Sequence, residues 1–303
     1  MKTKNFIILS SLLFILIIGC VLICMKFLPK EETKPAYANY DNEWVITQHG
    51  RNDINLSFYT IYNQDKGLIV VDGGWHEDAA MVREVIDDLG GSVDAWILTH
   101  PHQDHIGAFN LMYNELEGIS IDRIFTVDMA TPEQCLEVAS WDSVDIYNEF
   151  LNLNIQNLTY VYPDDEFEIC GLKFIILSAY DENVKNLSRD YLNDGSMMFK
   201  VTNNEQSMLF CADVGISLSD TLVNKYGEEL KADYIQMAHH GYGGLSDEFY
   251  SLVDPEIAFF DAPDWLMYDE TGKYDNPQNE AFMKSLGSEI YSFNSVPNYV
   301  ILK

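Results

Sequence analysis

The residues best suited to chemistry in this 303-residue chain form one short run. His100, His102, Asp104 and His105 follow the apolar segment 95–98. Imidazole and carboxylate groups are ligands for zinc, iron and manganese in proteins. Alternate residues of an extended segment point the same way, so His100 and His102 can bind one ion. The turn that follows can aim Asp104 and His105 at a second position, and the spacing therefore predicts a metal site.

The elements that must position this run follow an alternating pattern of strands and helices. Strand-like segments and helix-like segments alternate along the chain, in two successive sets, which predicts an α/β fold built from two half-sandwiches. The strands are predicted near 44–48, 56–62, 67–72, 94–99, 121–127, 166–178, 196–202, 207–212, 232–238, 256–261 and 297–302, and the helices near 77–89, 105–116, 142–153, 218–228, 247–252 and 278–286.

The pattern His-x-His-x-Asp-His after a strand resembles the metallo-β-lactamase superfamily. The resemblance implies a four-layer αβ/βα sandwich with two metal ions at one edge. It also implies that Asp72, after an early strand, holds the histidine loop in place. Asp213, at the end of a later strand, is expected to bridge the ions. One more strand precedes His239 and His240, and we assign His240 as the last ligand.

One element of the superfamily pattern is missing. Many members place a third histidine for the first ion in the middle of the chain, but no histidine lies between residues 105 and 239. Asn193 and Ser196 stand there instead, and this Asn-x-x-Ser element is similar to the subgroup related to the extracellular hydrolase domain of DNA-uptake competence proteins. Choline-phosphate esterases share the general plan. We expect Asn193 and Ser196 to support the ligands, and the first ion to be the weaker and more exchangeable one.

These residues predict hydrolysis. Two divalent ions, zinc being the first choice and manganese the second, would lower the pKa of a bound water, so the expected nucleophile is a metal-bound hydroxide. Charge that develops on the substrate would be stabilised electrostatically. His239 is expected to act as a donor to that charge or to the leaving group. Asp104 is expected to serve as a ligand of the second ion rather than as a general base.

The amino-terminal segment predicts where the chemistry takes place. Residues 6–28 are almost wholly apolar and long enough to cross a hydrocarbon core of roughly 30 Å. Lys2 and Lys4 precede them and favour an inside amino terminus. We therefore predict a signal anchor over 1–28, a tether over 29–40 and one catalytic domain over 41–303, outside the cell membrane. A lipoprotein anchored at Cys20 is the alternative.

The charge of the chain bears on its substrate. The formal net charge is −30, and five of the 18 basic residues precede residue 37. Nucleic-acid binders carry basic stripes, which are not visible here, so nucleic acid is not the expected partner. The stretch 261–270 is acidic and aromatic, a composition that can hold an organic cation. A small molecule or a cell-envelope polymer is the expected substrate.

Three functions remain open from the sequence. The favoured one is a phosphodiesterase. The second is a carboxylic-ester or amide hydrolase, of the lactone or β-lactam type. The third is a non-catalytic surface binding module with a degenerate metal site, against which the presence of all six candidate ligands argues.

Overall fold

The computed structural model describes residues 42–303. The predicted anchor and tether, including Cys20, lie outside the described residues. Within the described part, no helix has the length and apolar character needed to cross a membrane. Residues 42–303 contain two mixed sheets of seven strands each, with helices between the strands. The prediction of an α/β fold is therefore confirmed.

The first sheet has the strand order β14-β1-β2-β3-β4-β5-β6. Strands β14, β1, β2 and β3 pair antiparallel, and β3, β4, β5 and β6 pair parallel. Their bounds are β1 Trp44–Gln48, β2 Phe58–Asn63, β3 Gly67–Asp72, β4 Ser92–Ile97, β5 Ser120–Val127, β6 Leu158–Val161 and β14 Asn298–Leu302.

The second sheet has the order β13-β12-β11-β10-β9-β8-β7, with the same division into a parallel and an antiparallel half. Its strands are β7 Glu166–Ile169, β8 Leu172–Ser178, β9 Met198–Thr202, β10 Ser207–Phe210, β11 Tyr234–Gln236, β12 Ile257–Phe259 and β13 Glu289–Tyr291.

The α-helices of the described residues lie between these strands. They are α1 Ala79–Asp88, α2 Gln103–Tyr113, α3 Pro132–Val138, α4 Asp145–Asn152, α5 Glu182–Leu187, α6 Tyr191–Asp194, α7 Ser219–Tyr226, α8 Asp247–Val253, α9 Asp264–Met267 and α10 Asn276–Leu286. Short 3₁₀ turns occur at His76–Asp78, Ile216–Leu218 and Gly227–Leu230, and Ala238–Gly241 forms an irregular turn with left-handed backbone angles at His239 and His240.

Alternating side chains place the two sheets face to face. Tyr59 of β2 meets Phe210 of β10 and Phe259 of β12 edge-on, at ring-centroid distances of 5.2 and 6.1 Å. The opposite face of the second sheet packs in a separate apolar cluster with α7, α8 and α10. On the first sheet, Trp96 of β4 packs against Phe109 of α2. Helices therefore cover the outer faces, and burial of apolar surface on both sides of each sheet supplies the main stabilisation.

The site lies where parallel strands end. Strands β3 and β4 run side by side and end at Asp72 and just before the histidine run. Strands β10 and β11 do the same in the second sheet and end just before Asp213 and His239. Because the carboxyl ends of parallel strands meet at one edge, each sheet delivers half of the site.

The structure differs from the sequence expectation in short elements. The single strand predicted over 166–178 is a hairpin of β7 and β8, turned at Cys170 and Gly171 with φ angles of 52° and 87°. Two consecutive residues in the left-handed region match the twist of the flanking strands. A cysteine at the first position gave no turn signal. The short strands β6 and β13 and helices α3, α5, α6 and α9 were also not predicted.

Candidate metal centre

The first group of predicted ligands converges from the end of β4. His100 Nε2 lies 3.1 Å from His102 Nδ1 and 3.9 Å from Asp213 Oδ2. His100 and Asp213 are fully buried, whereas the side chain of His102 is partly exposed. These three side chains, from both sheets, are the ligands expected for the first ion.

The second group shares Asp213 with the first. His240 Nε2 lies 3.1 Å from Asp104 Oδ2 and 3.6 Å from Asp213 Oδ2, and His105 Nε2 lies 3.2 Å from Asp213 Oδ1. Ligand atoms of Asp104, His105 and His240 all lie within 4.8 Å of one another, as do those of His100, His105 and Asp213. The six predicted ligands therefore form one cluster with Asp213 between its two halves.

Buried atoms of this cluster lack hydrogen-bond partners. Within residues 42–303, these atoms are His105 Nε2, Asp213 Oδ1 and both ring nitrogens of His240; His105 Nε2 and His240 Nε2 lie 3.2 and 3.1 Å from carboxylate oxygens but form no hydrogen bond with them. A buried polar atom without a partner costs about 1–3 kcal/mol, so native structures seldom keep several together. Divalent ions would satisfy these lone pairs, and imidazole with carboxylate is a donor set that suits transition metals. The residues present therefore fit a metal centre.

The carboxylates and imidazoles of the cluster stabilise each other's charged forms. Burial favours neutral carboxyl groups, but neighbouring imidazoles outweigh it: His105, His240 and His239 hold the pKa of Asp213 well below its usual range. Burial likewise disfavours a charged His105, yet the carboxylates of Asp213 and Asp72 raise the pKa of His105 well above 6.5. The pKa of Asp104 is lowered in the same way by His240. The carboxylates are thus kept in the form that binds cations.

Asp72 contacts the histidine run, and Thr99 just before it, through both of its carboxylate oxygens. Its Oδ2 lies 2.7 Å from His105 Nδ1 and accepts from Thr99 Oγ1, and its Oδ1 accepts from the Thr99 backbone N–H. Because the carboxylate fixes the proton on Nδ1, His105 Nε2 remains free to face a metal. Thr99 also contacts His100 Nδ1 at 3.2 Å. Thr99 was not predicted, although it directly precedes the first histidine.

The loop after Asp72 docks directly on helix α2. The backbone N–H of Gly74 donates to the His105 carbonyl, and Ala108 donates to the Gly74 carbonyl. A Cβ at Gly107 would lie 2.6 Å from the backbone nitrogen of His76. Only glycine permits this approach, which fixes the helix that carries Asp104 and His105.

Asp142 is a functional residue that the sequence did not reveal. Its Oδ2 lies 3.0 Å from His102 Nε2. A carboxylate can only accept, so the proton of His102 sits on Nε2 and Nδ1 is left for a metal. Asp142 lies in the loop between α3 and α4, far from every motif, and no local pattern marks it.

The ligands of the second sheet depend on two strained turns. Ala212 and His240 have φ angles of 46° and 56°, in the left-handed region. The side chain of Gln236 accepts from the backbone N–H groups of Cys211 and Ala212, which turns Asp213 away from the β10 ladder. Strain of this kind persists where surrounding contacts impose it, typically at active sites.

The His240 turn is also held from outside. Asn276 Nδ2 donates to the His240 carbonyl, Asn279 Nδ2 donates to the Gly241 carbonyl, and Asp275 accepts from the Gly243 N–H. These residues at the start of α10 therefore clamp the loop that carries the last ligand.

The remaining predicted residues lie at different distances from the ligands. His239 also has a left-handed backbone, and its Nε2 lies 3.8 Å from Asp213 Oδ2. Its ring contacts that of Tyr242 at a tilt of 36°, with the ring centroids 4.4 Å apart. Asn193 lines the cavity beside Asp213, whereas Ser196 is buried and donates to the Asn193 carbonyl. Ser196 thus supports the Asn193 turn rather than any ligand directly.

Two cavities open at the cluster. The smaller one, about 180 Å³, is lined by residues that include His102, Asp104, Asp213 and Tyr242. The larger one, about 360 Å³, extends from Asp213. His239 and Asn193 line both of them. A substrate therefore has access to both halves of the cluster from this side.

The comparisons with known proteins agree with this geometry. The sequence profile of the metallo-beta-lactamase superfamily matches residues 53–116, which include Asp72 and the whole histidine run. Over this segment the chain is similar to the metallo-beta-lactamase superfamily. The resemblance predicted from the motifs is confirmed.

Among curated members, the chain is 30% identical to hydroxyacylglutathione hydrolase of Aliivibrio salmonicida over 117 residues, or 37% of the chain and 44% of that protein. It is 27% identical to ComE operon protein 3 of Bacillus subtilis over 175 residues, or 56% of the chain and 20% of that protein. The chain thus spans less than half the length of these relatives.

Solved structures share this fold, among them one described as a metallo-beta-lactamase fold protein. The Bacillus subtilis protein YhfI matches 86% of this chain over its own full length, with a TM-score of 0.54 and 13% identity. CmlA, a diiron beta-hydroxylase from Streptomyces venezuelae, matches 86% of this chain and 54% of its own, with a TM-score of 0.54 and 12% identity. At these identities the likeness concerns the fold alone.

Proposed function

We propose that this protein is a membrane-anchored, extracellular hydrolase that uses two divalent metal ions to cleave a phosphodiester. The observation that carries the proposal is the buried cluster of unpartnered ligand atoms at the open end of a cavity. When bound, the ions would lower the pKa of a water molecule and polarise the scissile group. His100, His102 and Asp213 would hold one ion, and Asp104, His105 and His240 the other with Asp213 between them.

An unpaired arginine supports an anionic substrate. Within residues 42–303, Arg51, Arg83 and Arg123 each lie within 4.0 Å of a carboxylate, whereas Arg189 has no ion-pair partner. Arg189 lines the larger cavity together with Asp213. A guanidinium binds phosphate oxygens through two parallel N–H donors. In a chain of net charge −30, a free guanidinium beside the ligands favours a phosphodiester over a neutral ester.

Exposed apolar side chains line the same cavity. Trp141 is 73% exposed and Ile216 61% exposed, and Leu187 lines the cavity with them. Large apolar groups that share an exposed surface commonly mark binding sites. The substrate we propose therefore joins its phosphate to an apolar or ring-containing group, as in a cell-envelope polymer.

His239 is placed to donate a hydrogen bond to a bound substrate. Burial is the largest effect on its imidazole and lowers its pKa, so the ring is neutral at pH 7 and carries one N–H. It faces both cavities and is steadied by the ring of Tyr242. We assign it the role of hydrogen-bond donor to the substrate oxygen on which charge develops.

The cellular location belongs to the same proposal. It is supported by the apolar residues 6–28 and by Lys2 and Lys4 before them. Cysteine labelling from the outside of intact cells tests it: a cysteine placed at exposed Trp141 should react with an impermeant maleimide. Labelling only after lysis would contradict an outward orientation.

Activity on a model substrate tests the reaction. The full chain in detergent should hydrolyse bis(p-nitrophenyl) phosphate after loading with zinc or manganese. Arg189→Ala should raise KM about tenfold with little change in kcat, because it removes binding rather than chemistry. Arg83→Ala, which removes an arginine far from the cavity, is the matched control. Equal KM for both variants would remove the argument for an anionic substrate.

A second reaction is favoured by the relatives. Curated relatives that match part of this chain are named hydroxyacylglutathione hydrolases. Turnover of an acylglutathione, a lactone or nitrocefin, without turnover of the phosphodiester, would favour a carboxylic-ester or amide hydrolase. A purified chain that binds less than one metal ion would instead favour a non-catalytic binding module.

A further inference from the structure

The first metal position has three protein ligands, whereas the second has four. His100, His102 and Asp213 form the first, and His105, which lies within 4.8 Å of His100 and Asp213, is assigned to the second, so the first position has room for one more ligand. A further ligand would have to approach the first position from the smaller cavity. Asn193 lines that cavity with His102 and Asp213.

The amide of Asn193 is fixed in one orientation. Its Nδ2 donates to Asp190 Oδ2 at 2.9 Å, and its backbone N–H donates to Asp190 Oδ1 at 3.2 Å. Asp190 caps the amino end of α6 and offers only acceptors, so the NH₂ group must face it. The carbonyl oxygen Oδ1 is thereby turned away from Asp190.

That carbonyl oxygen has no partner. Within residues 42–303, Asn193 Oδ1 is buried and accepts no hydrogen bond. The Nδ2 end of the same amide is held by Asp190, and the Asn193 backbone N–H donates to the same carboxylate, so the free oxygen is not the result of a loose side chain. An unsatisfied buried acceptor in an otherwise ordered polar group requires an explanation, and an absent ion is one of the few available.

We infer that Asn193 Oδ1 is a ligand of the first metal ion. The inference rests on the proposed metal-dependent function but not on which bond is cleaved. Asn193 would then coordinate the ion directly instead of supporting the other ligands. A neutral oxygen in place of an imidazole makes the first position richer in oxygen, which favours manganese relative to zinc. The two positions are then expected to differ in metal preference.

Metal titration of the full chain in detergent tests the inference, with calorimetry for zinc and manganese and electron paramagnetic resonance for manganese. Wild type should bind two ions. Asn193→Ala should weaken the weaker site on the order of 100-fold, as expected for losing a direct ligand, and leave the tighter site unchanged. Asn186→Ala, an exposed asparagine on α5, is the control and should bind like wild type.

Asn193→His keeps the test decisive if Asn193→Ala does not fold. An imidazole at this position should raise the zinc-to-manganese affinity ratio of the weaker site at least tenfold. Unchanged affinity in a folded Asn193→Ala, or an unchanged ratio in Asn193→His, would overturn the inference. Failure of wild type to bind two ions would instead count against the proposed function itself.

Discussion

The two halves of the metal cluster differ in the carboxylates that orient their histidines. At the second position, His105 and His240 are buried, and the carboxylate that orients His105 belongs to fully buried Asp72. At the first position, His102 is partly exposed, and it is oriented by Asp142 from a surface loop. His102 of the first position and Asp104 of the second are equally exposed, at 15%, and both line the smaller cavity, so the two positions differ chiefly in the carboxylate that orients the histidine. We expect the position supported by buried Asp72 to bind its ion more tightly, and the position supported by Asp142 to exchange its ion more readily.

The largest effect should come from the residue that the two positions share. Asp213→Ala removes a ligand from both, so we expect loss of both ions and at least a 1000-fold fall in kcat/KM. Metal content and turnover measured on the same preparation check this. A variant that kept one ion would show that the positions are more independent than the geometry indicates.

Single-histidine variants should separate the two positions. His240→Ala should lower affinity at the tighter site, and His102→Ala at the weaker one, each by about 100-fold. Calorimetric titration with zinc resolves the two sites. The same pattern for both variants would show that the two positions do not bind their ions independently.

Asp142 should matter to the first position alone. Asp142→Ala removes the acceptor that fixes the His102 proton on Nε2. Loss of such a carboxylate typically costs 10–100-fold in metal affinity. Asp142→Asn keeps an acceptor for Nε2 and should restore most of it. Asp145→Ala, at the exposed start of α4, is the matched control. An effect on the tighter site would show that this loop supports the whole cluster.

The smallest expected effect concerns Asp261, at the end of β12 near the second position. Burial raises the pKa of Asp261 to about 6, while its Oδ1 accepts from Tyr59 and Gln48. An acid whose folded pKa exceeds its unfolded value of about 4 stabilises the fold when protonated, and this contribution is lost as the pH rises from 4 through 6.

Asp261→Asn should therefore gain stability relative to wild type across that range, on the order of 1–2 kcal/mol in metal-free protein. Urea unfolding at pH 4.5 and pH 7.5 measures the difference. A difference that does not change with pH would show that Asp261 is not protonated when buried.

The sequence predicted the local parts of the site. His100, His102, Asp104 and His105 lie in one run, so their spacing alone indicates shared coordination. Asp72, Asp213 and His240 each follow a strand and could be assigned from the superfamily pattern. These are the residues whose role depends on position along a strand rather than on the packing of distant loops.

Other parts of the site depend on contacts that the sequence does not encode locally. Asp142 meets His102 only because the loop before α4 folds over α2. The sequence indicates only that Gln236 lies in a strand. In the structure its side-chain oxygen accepts from the Ala212 N–H and stabilises the turn there. Likewise β6 and β13 are too short to show a period and exist because a neighbouring strand offers hydrogen bonds.

Strand β14 has a consequence for how the protein is made. It pairs with β1 along its whole length, and Gln48 and Asn298 are hydrogen-bonded across 250 residues of sequence. The first sheet therefore cannot be completed while the ribosome is still adding the second. Pairing of such distant segments is slow, and β1 keeps an open edge until it happens. We expect the pairing of β14 with β1 to limit the rate of refolding. Val300→Pro, which interrupts this pairing, should therefore slow refolding, as measured by stopped-flow fluorescence, without altering any metal ligand.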